Sequence, residues 1–326
     1  MVEIFDLVSI ERKIYADYPR RSIYQNLRPY GFGTGFVESL TSYVGRLAYK
    51  HNVKPRFIIE DVISSQVRKD GGGKRTYSHR CNTSLNGIYF FIKWLIQGLE
   101  HMTCNKNLKP LTMLNFEYIL HSKGIFKETR AWCPDCYNEM FNAYGEVYDP
   151  LIWFFEQVNF CPKHNRELLT RCPYIDCQSI QKTFNRYSNV HCQKCNRWLG
   201  ASDATHAKFQ VLQKEWQSWI NQNISDLLIA VSNNATPSIN KVFDVISECF
   251  EKQFKCNGAL FYEYMGMELL LLSSKESWRT KIYLNELLRF SYCTGVGLGE
   301  LFTKDKIDWY GREIRYPFVC NNTKIV

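Results

Sequence analysis

The placement of cysteine constrains this chain more than any other feature. Seven of its thirteen cysteines fall between residues 133 and 195. They form two sets. The first is Cys133-Pro-Asp-Cys136 with Cys161-Pro-Lys-His164, and the second is Cys172 and Cys177 with Cys192-Gln-Lys-Cys195. Two ligands a short turn apart aim their side chains at one point, and two such pairs complete a tetrahedron of the kind Zn²⁺ favours. An odd cysteine count in a chain without an export signal argues against a disulfide framework, because cytosolic thiols stay reduced. Two structural Zn²⁺ ions per chain are the expected cofactors, held by Cys133, Cys136, Cys161 and His164 and by Cys172, Cys177, Cys192 and Cys195.

These sets do not read as catalytic. A catalytic zinc keeps one position open for water, whereas each set here offers four protein ligands. Neither His-x-Glu nor His-Glu-x-x-His occurs, which removes the deaminase and metalloprotease signatures. No nucleophile–base motif and no phosphate-binding loop are present. The chain is therefore expected not to be an enzyme. His191, beside Cys192, reads as a surface histidine or one packed around the metal ligands.

Length and charge divide the rest. A chain of 326 residues exceeds one ordinary core. The expected domains are a basic helical domain (1–129), a tandem zinc-binding module (130–200) and a helical domain (201–326). Of the net charge of +9, residues 1–129 carry 19 basic and 11 acidic side chains, while residues 201–326 carry 14 of each. Seven thiolates and two zinc ions turn the formal +1 of residues 130–200 into about −2. Nucleic-acid contact is thus expected from the first third, through Arg46, Lys50, Lys54, Arg56, Arg68, Lys69, Lys74 and Arg75. The middle module is a poor phosphate binder and reads as scaffold or protein-contact surface, with Trp132, Trp153, Phe154, Phe155 and Trp198 assigned mainly to packing.

Periodicity predicts a mainly α fold. Over residues 37–50, Leu40, Tyr43, Val44, Leu47 and Ala48 form one buried stripe, with Ser39 as cap. After a break, Pro55 opens a second helix expected to bury Phe57, Ile58, Val62 and Ile63. This pair is helix-turn-helix-like. Residues 68–75, with three consecutive glycines, read as a basic loop. Residues 85–98 read as a buried helix, with Trp94 in the core or at an interface. Helical spacing returns at 209–220 (Phe209, Leu212, Trp216, Trp219), and residues 232–238 read as a loop. Leu284, Leu287 and Leu288 share a face, and a turn at Gly295 leads into a further helix at 298–302, a second helix-turn-helix-like pair. No apolar run approaches the ~20 residues that span a bilayer. Glu3, Asp6 and Glu11 stand where a signal peptide would be basic and then apolar, so a cytoplasmic protein is expected.

With the cysteines placed, the order of motifs resembles the TniQ/TnsD family of transposon target-selection proteins. Glu38-Ser39-Leu40-Thr41-Ser42-Tyr43-Val44-Gly45-Arg46-Leu47-Ala48 is similar to the family's E-S-L-x-S-x-x-x-R-L-A. Arg130-Ala-Trp-Cys133-Pro-Asp-Cys136 is similar to R-x-C-P-x-C. Trp153 and Val158-Asn-Phe-Cys161-Pro-Lys-His164 resemble W…V-x-x-C-x-x-H, and Cys192-Gln-Lys-Cys195-Asn-Arg-Trp-Leu199 resembles C-x-x-C-G-x-x-L. Residues 287–293 resemble a C-terminal helix of longer members. The likeness covers roughly residues 37–300. Asn165 and Asn196 stand where the family often has Gly, and the gap between Cys172 and Cys177 is wider than a standard knuckle.

The resemblance implies a non-enzymatic adaptor in DNA transposition. Its partners would be an AAA+ ATPase regulator of the TnsC kind, and either a Cascade-like CRISPR effector or attachment-site DNA. A homodimer is a further expectation. Direct site readers tend to be longer, so the length favours the RNA-guided adaptor. Direct attachment-site reading and a stand-alone zinc-containing transcription factor remain the alternatives.

Overall fold

A computed structural model describes residues 21–69, 85–182, 190–201, 211–232, 238–267, 281–304 and 306–315. Among these the protein is mainly helical. Its α-helices are α1 (Leu40–Lys50), α2 (Pro55–Lys69), α3 (Phe90–Thr103), α4 (Pro134–Tyr144), α5 (Val211–Ser232), α6 (Ile239–Phe254), α7 (Gly258–Met265), α8 (Leu284–Thr294) and α9 (Leu298–Thr303). Short 3-10 turns occupy Lys109–Leu111, Leu114–Phe116 and Leu151–Phe154. The described residues form isolated β-bridges and no strand. None of their helices is long and apolar enough to cross a membrane.

The first pair follows its pattern. The Ser42 N–H donates to Ser39 Oγ at 3.1 Å, capping α1, and all five stripe residues are buried. Pro55 opens α2. Its buried arc differs from the expected one: Ile58, Ile59 and Val62 face inward, Ile63 is half-buried and Phe57 is 58% exposed. At 100° per residue the inward three span a 100° arc, and Phe57 lies about 150° from its centre. With one face of α2 turned to the core, position 57 is left on the solvent side while position 62 is buried.

Other boundaries also differ from the expected ones. α2 continues through Arg68 and Lys69, so the expected loop starts later, and Lys74 and Arg75 lie outside the described residues. α3 begins at Phe90 rather than 85, after a turn that leaves Leu85 and Ile88 buried. The helix expected at 209–220 runs on to Ser232; Phe209 lies outside the described residues, as does most of the loop expected at 232–238. α8, Gly295 (φ +68°) and α9 match their expectation.

One hydrophobic cluster unites the three segments, from Leu40 and Leu47 through Trp132, Trp153 and Phe155 to Leu227 and Phe290. α5 packs on α9 and reaches the turns Lys109–Leu111 and Leu151–Phe154. Gly35 permits the first segment to approach α5: a Cβ there would lie 1.8 Å from Ser225 Oγ. Asn223, also on α5, accepts from Ser291 Oγ at 2.9 Å and from the Leu298 N–H at 2.8 Å. The second bond satisfies a first-turn donor of α9 that the helix itself leaves unpaired.

Candidate metal centres and the network beneath them

The first cluster joins a helix start to a hairpin. Cys133 is the N-cap of α4 and Cys136 lies in its first turn, where the helix dipole favours negative sulfur. Cys161 and His164 come from the facing turn. Cys136 Sγ and Cys161 Sγ are 3.5 Å apart, and His164 Nδ1 lies 3.5, 3.2 and 3.6 Å from the sulfurs of Cys133, Cys136 and Cys161. A tetrahedron with metal bonds of 2.0–2.3 Å has edges of about 3.3–3.7 Å. The four atoms therefore fit one Zn²⁺-sized ion. Hydrogen bonds from Cys133 and Cys136, then backbone N–H groups of His164 and Lys163, pull the Cys161 thiol down to about 4, while its neighbours push Cys136 up. Three thiolates cannot ionise together here without a cation between them.

The second cluster has the same spacing, with Cys172–Cys195 and Cys177–Cys192 sulfur pairs each at 3.7 Å. All four ligand atoms of either cluster lie within 4.8 Å of one another. Donors surround Cys192: Gln181 Nε2 at 3.3 Å and the Lys194 N–H at 3.4 Å. The Arg197 Nε–H donates to Cys195 Sγ at 3.4 Å.

Three of the four ligand pairs share one backbone design. The Cys161 N–H donates to the Arg166 carbonyl at 2.8 Å, the Asn165 N–H returns to the Cys161 carbonyl at 2.9 Å, and residues 160 and 167 form a bridge. Cys192, Asn196 and Arg197 repeat this at 2.9 and 3.0 Å inside a bridge of 191 with 198. The wide pair keeps the closure with two residues added. The Cys172 N–H donates to the Ser179 carbonyl at 2.9 Å, inside a bridge of 171 with 180. In each turn the residue after the second ligand is left-handed: Asn165 (φ +48°), Gln178 (φ +43°) and Asn196 (φ +56°). Asn serves in place of the family's Gly, and the insertion leaves the ligand geometry intact.

Beneath the first cluster runs a buried polar chain. Glu38, fully buried, accepts from Arg46 Nη1 at 2.7 Å, from Ser42 Oγ at 2.9 Å and from the Tyr30 N–H at 3.3 Å. Ser42 Oγ in turn accepts from the Asp149 N–H at 3.0 Å. The Asp149 carboxylate takes two bonds from Arg130, at 3.0 and 3.1 Å, and a third from the Tyr137 hydroxyl. Tyr137 is one residue past Cys136 on α4, and Arg130 is three before Cys133. The motifs Glu38–Ala48 and Arg130–Cys136 are thus two ends of one network, from α1 to the first cluster. Glu38, Ser42 and Arg46 stand at i, i+4 and i+8, a helical register visible in the sequence. Asp149, which completes the chain, carries no comparable signal.

The basic residues assigned to nucleic acid have varied surroundings. Arg46 is buried, bridging Glu38 and Glu146 and stacked 4.3 Å from the Tyr30 ring centroid. Lys50 pairs with Glu146, and Arg56 with Glu60 at 2.6 Å. Lys54 is half-buried at the break between α1 and α2. His191 is no ligand of the second cluster; it packs edge-on to Trp198. Beside Lys50 and Glu146 opens a cleft of about 430 Å³, walled by Tyr49, Phe141, Tyr144, Val190 and His191. Tyr49, Phe141 and Tyr144 are all more than half exposed.

No curated protein matches the chain. Residues 29–168 match the TniQ family model. The matched stretch begins before Tyr30, contains the whole polar chain and ends just past His164, so the second cluster and the C-terminal helices lie beyond it. That family is a non-catalytic accessory family of transposition, and the match points to a target-selection role there. The helix cap, the buried network and the first candidate metal-ligand set all fall within residues 29–168, the stretch of this chain that is similar to the TniQ family.

Proposed function

We propose that this protein is a non-enzymatic, cytoplasmic target-selection adaptor holding two structural Zn²⁺ ions. It links a target-recognition complex, an RNA-guided CRISPR effector, to the AAA+ ATPase that regulates transposition. The fate of the basic side chains in the helix pair carries this reading. Arg46, Lys50 and Arg56 each face a carboxylate, which lowers the local potential available to a phosphate backbone. Exposed aromatic surface gathers instead around the cleft between α1, α4 and the second cluster. Such a surface suits a protein partner. α9 also fits poorly as a reading helix: it has six residues, and Leu298, Leu301 and Phe302 point inward.

Two measurements test this. A pull-down of the purified protein against a TnsC-like ATPase and a Cascade-like effector should retain both. A DNA anisotropy titration without partners should give salt-sensitive dissociation constants of about 10⁻⁴ to 10⁻⁶ M. Nanomolar, sequence-selective binding by the isolated protein would replace the adaptor with a direct attachment-site reader.

A further inference from the structure

We propose that Glu139 is the positioning residue for His164, fixing its ring as an Nδ1 ligand of the first cluster. The inference rests on the reading that this cluster holds a metal. His164 turns Nδ1 toward the three sulfurs and leaves Nε2 3.0 Å from Glu139 Oε1. A neutral imidazole coordinating through Nδ1 carries its single proton on Nε2, so the ring donates to the carboxylate. Such a partner holds the tautomer and ring plane and makes the coordinating nitrogen more basic. Glu139 is well placed for this, because it lies three residues after Cys136 on the same face of α4. The helix that delivers two thiolates thereby also orients the imidazole arriving from the facing hairpin.

The other Glu139 oxygen takes Lys163 Nζ at 2.5 Å, between the hairpin's two ligands. A second carboxylate of α4, Asp135, takes buried Arg166 at 2.8 Å, just past His164. The two halves of the cluster are therefore tied twice outside the metal. Only the Glu139 tie reaches a ligand. The second cluster has four thiolates and no imidazole to orient, so the effect belongs to one site of the two.

The test uses the full chain loaded with cadmium, whose NMR signal separates a three-sulfur, one-nitrogen site from a four-sulfur site. Release to a chelator is followed at each resonance. E139A should speed loss from the mixed site by roughly 10- to 100-fold and leave the four-sulfur site unchanged. E139Q, whose amide oxygen still accepts from Nε2–H, should fall between E139A and the wild type. K163M, which removes the lysine pair and keeps the histidine bond, should release at the wild-type rate. The proposal is overturned if E139A and the wild type release alike, or if K163M matches E139A, since Glu139 would then act only as half of a surface ion pair. If the wild type gives no mixed-site resonance, the metal reading itself fails, and that outcome is distinct from an E139A result.

Discussion

Arg130 has no exposed side-chain surface, yet it opens the family-like motif that leads into the first cluster. Its bidentate pair with Asp149, also fully buried, explains the position without any ligand. Removing one partner of such a pair leaves a charge with no water and no counterion, whereas removing both leaves a packing problem only. R130M should therefore lose about 3–5 kcal/mol of unfolding free energy, and R130M with D149L should recover a large part of it. Urea titration of zinc-loaded protein measures both. A loss below about 1 kcal/mol in R130M would mean that Asp149 finds water or another donor, and that the network does not hold α1 to the cluster.

The turns that carry the candidate metal ligands place a demand on the residue that follows each second ligand. A left-handed backbone is open to Gly and tolerable to Asn, but a β-branched side chain clashes with its own carbonyl. Asn196 is exposed, so its side chain contributes little packing that could mask the effect. N196G should stay within about 0.5 kcal/mol of the wild type, and N196V should lose about 1–2 kcal/mol. Equal stability of the two would remove the conformational argument. These turns also mark how far the sequence could be read. Cys161-x-x-His164 and Cys192-x-x-Cys195 announce their geometry because ligand spacing and turn closure are local. So do the α1 stripe and its Ser39 cap. Asp149 and Glu146 were not legible, since they meet α1 only through tertiary pairing about 100 residues away. The same limit applies to Arg46, which pairs with Glu146 from 100 residues away: a basic residue's sequence position does not reveal the carboxylate it will face.

Across the molecule the two clusters occupy different mechanical positions. The first sits on α4, whose Tyr137 enters the polar chain to α1, and whose neighbour Trp132 lies in the common core. The second also reaches that core through Cys172, Cys192 and Leu199, but it joins α4 only through side-chain bonds. The Trp132 indole donates to the Leu199 carbonyl at 2.9 Å, and Trp198 and Gly200 bond Asn138 at 3.1 and 2.9 Å. Loss of the first metal should thus propagate to α1 and the shared core, while loss of the second should free one lobe. Structural zinc contributes on the order of 10 kcal/mol or more, which exceeds the usual stability of a domain of this size. Elemental analysis of the wild type is expected to return two zinc ions per chain. C136S should lose the cooperative thermal transition followed by circular dichroism. C195S should retain one zinc and a cooperative transition at lower temperature, with Trp198 and its neighbours newly exposed to hydrogen exchange. Collapse of C195S to the same extent as C136S would show the second cluster to be equally central, and the zinc region to fold as one unit rather than as a core with an attached lobe.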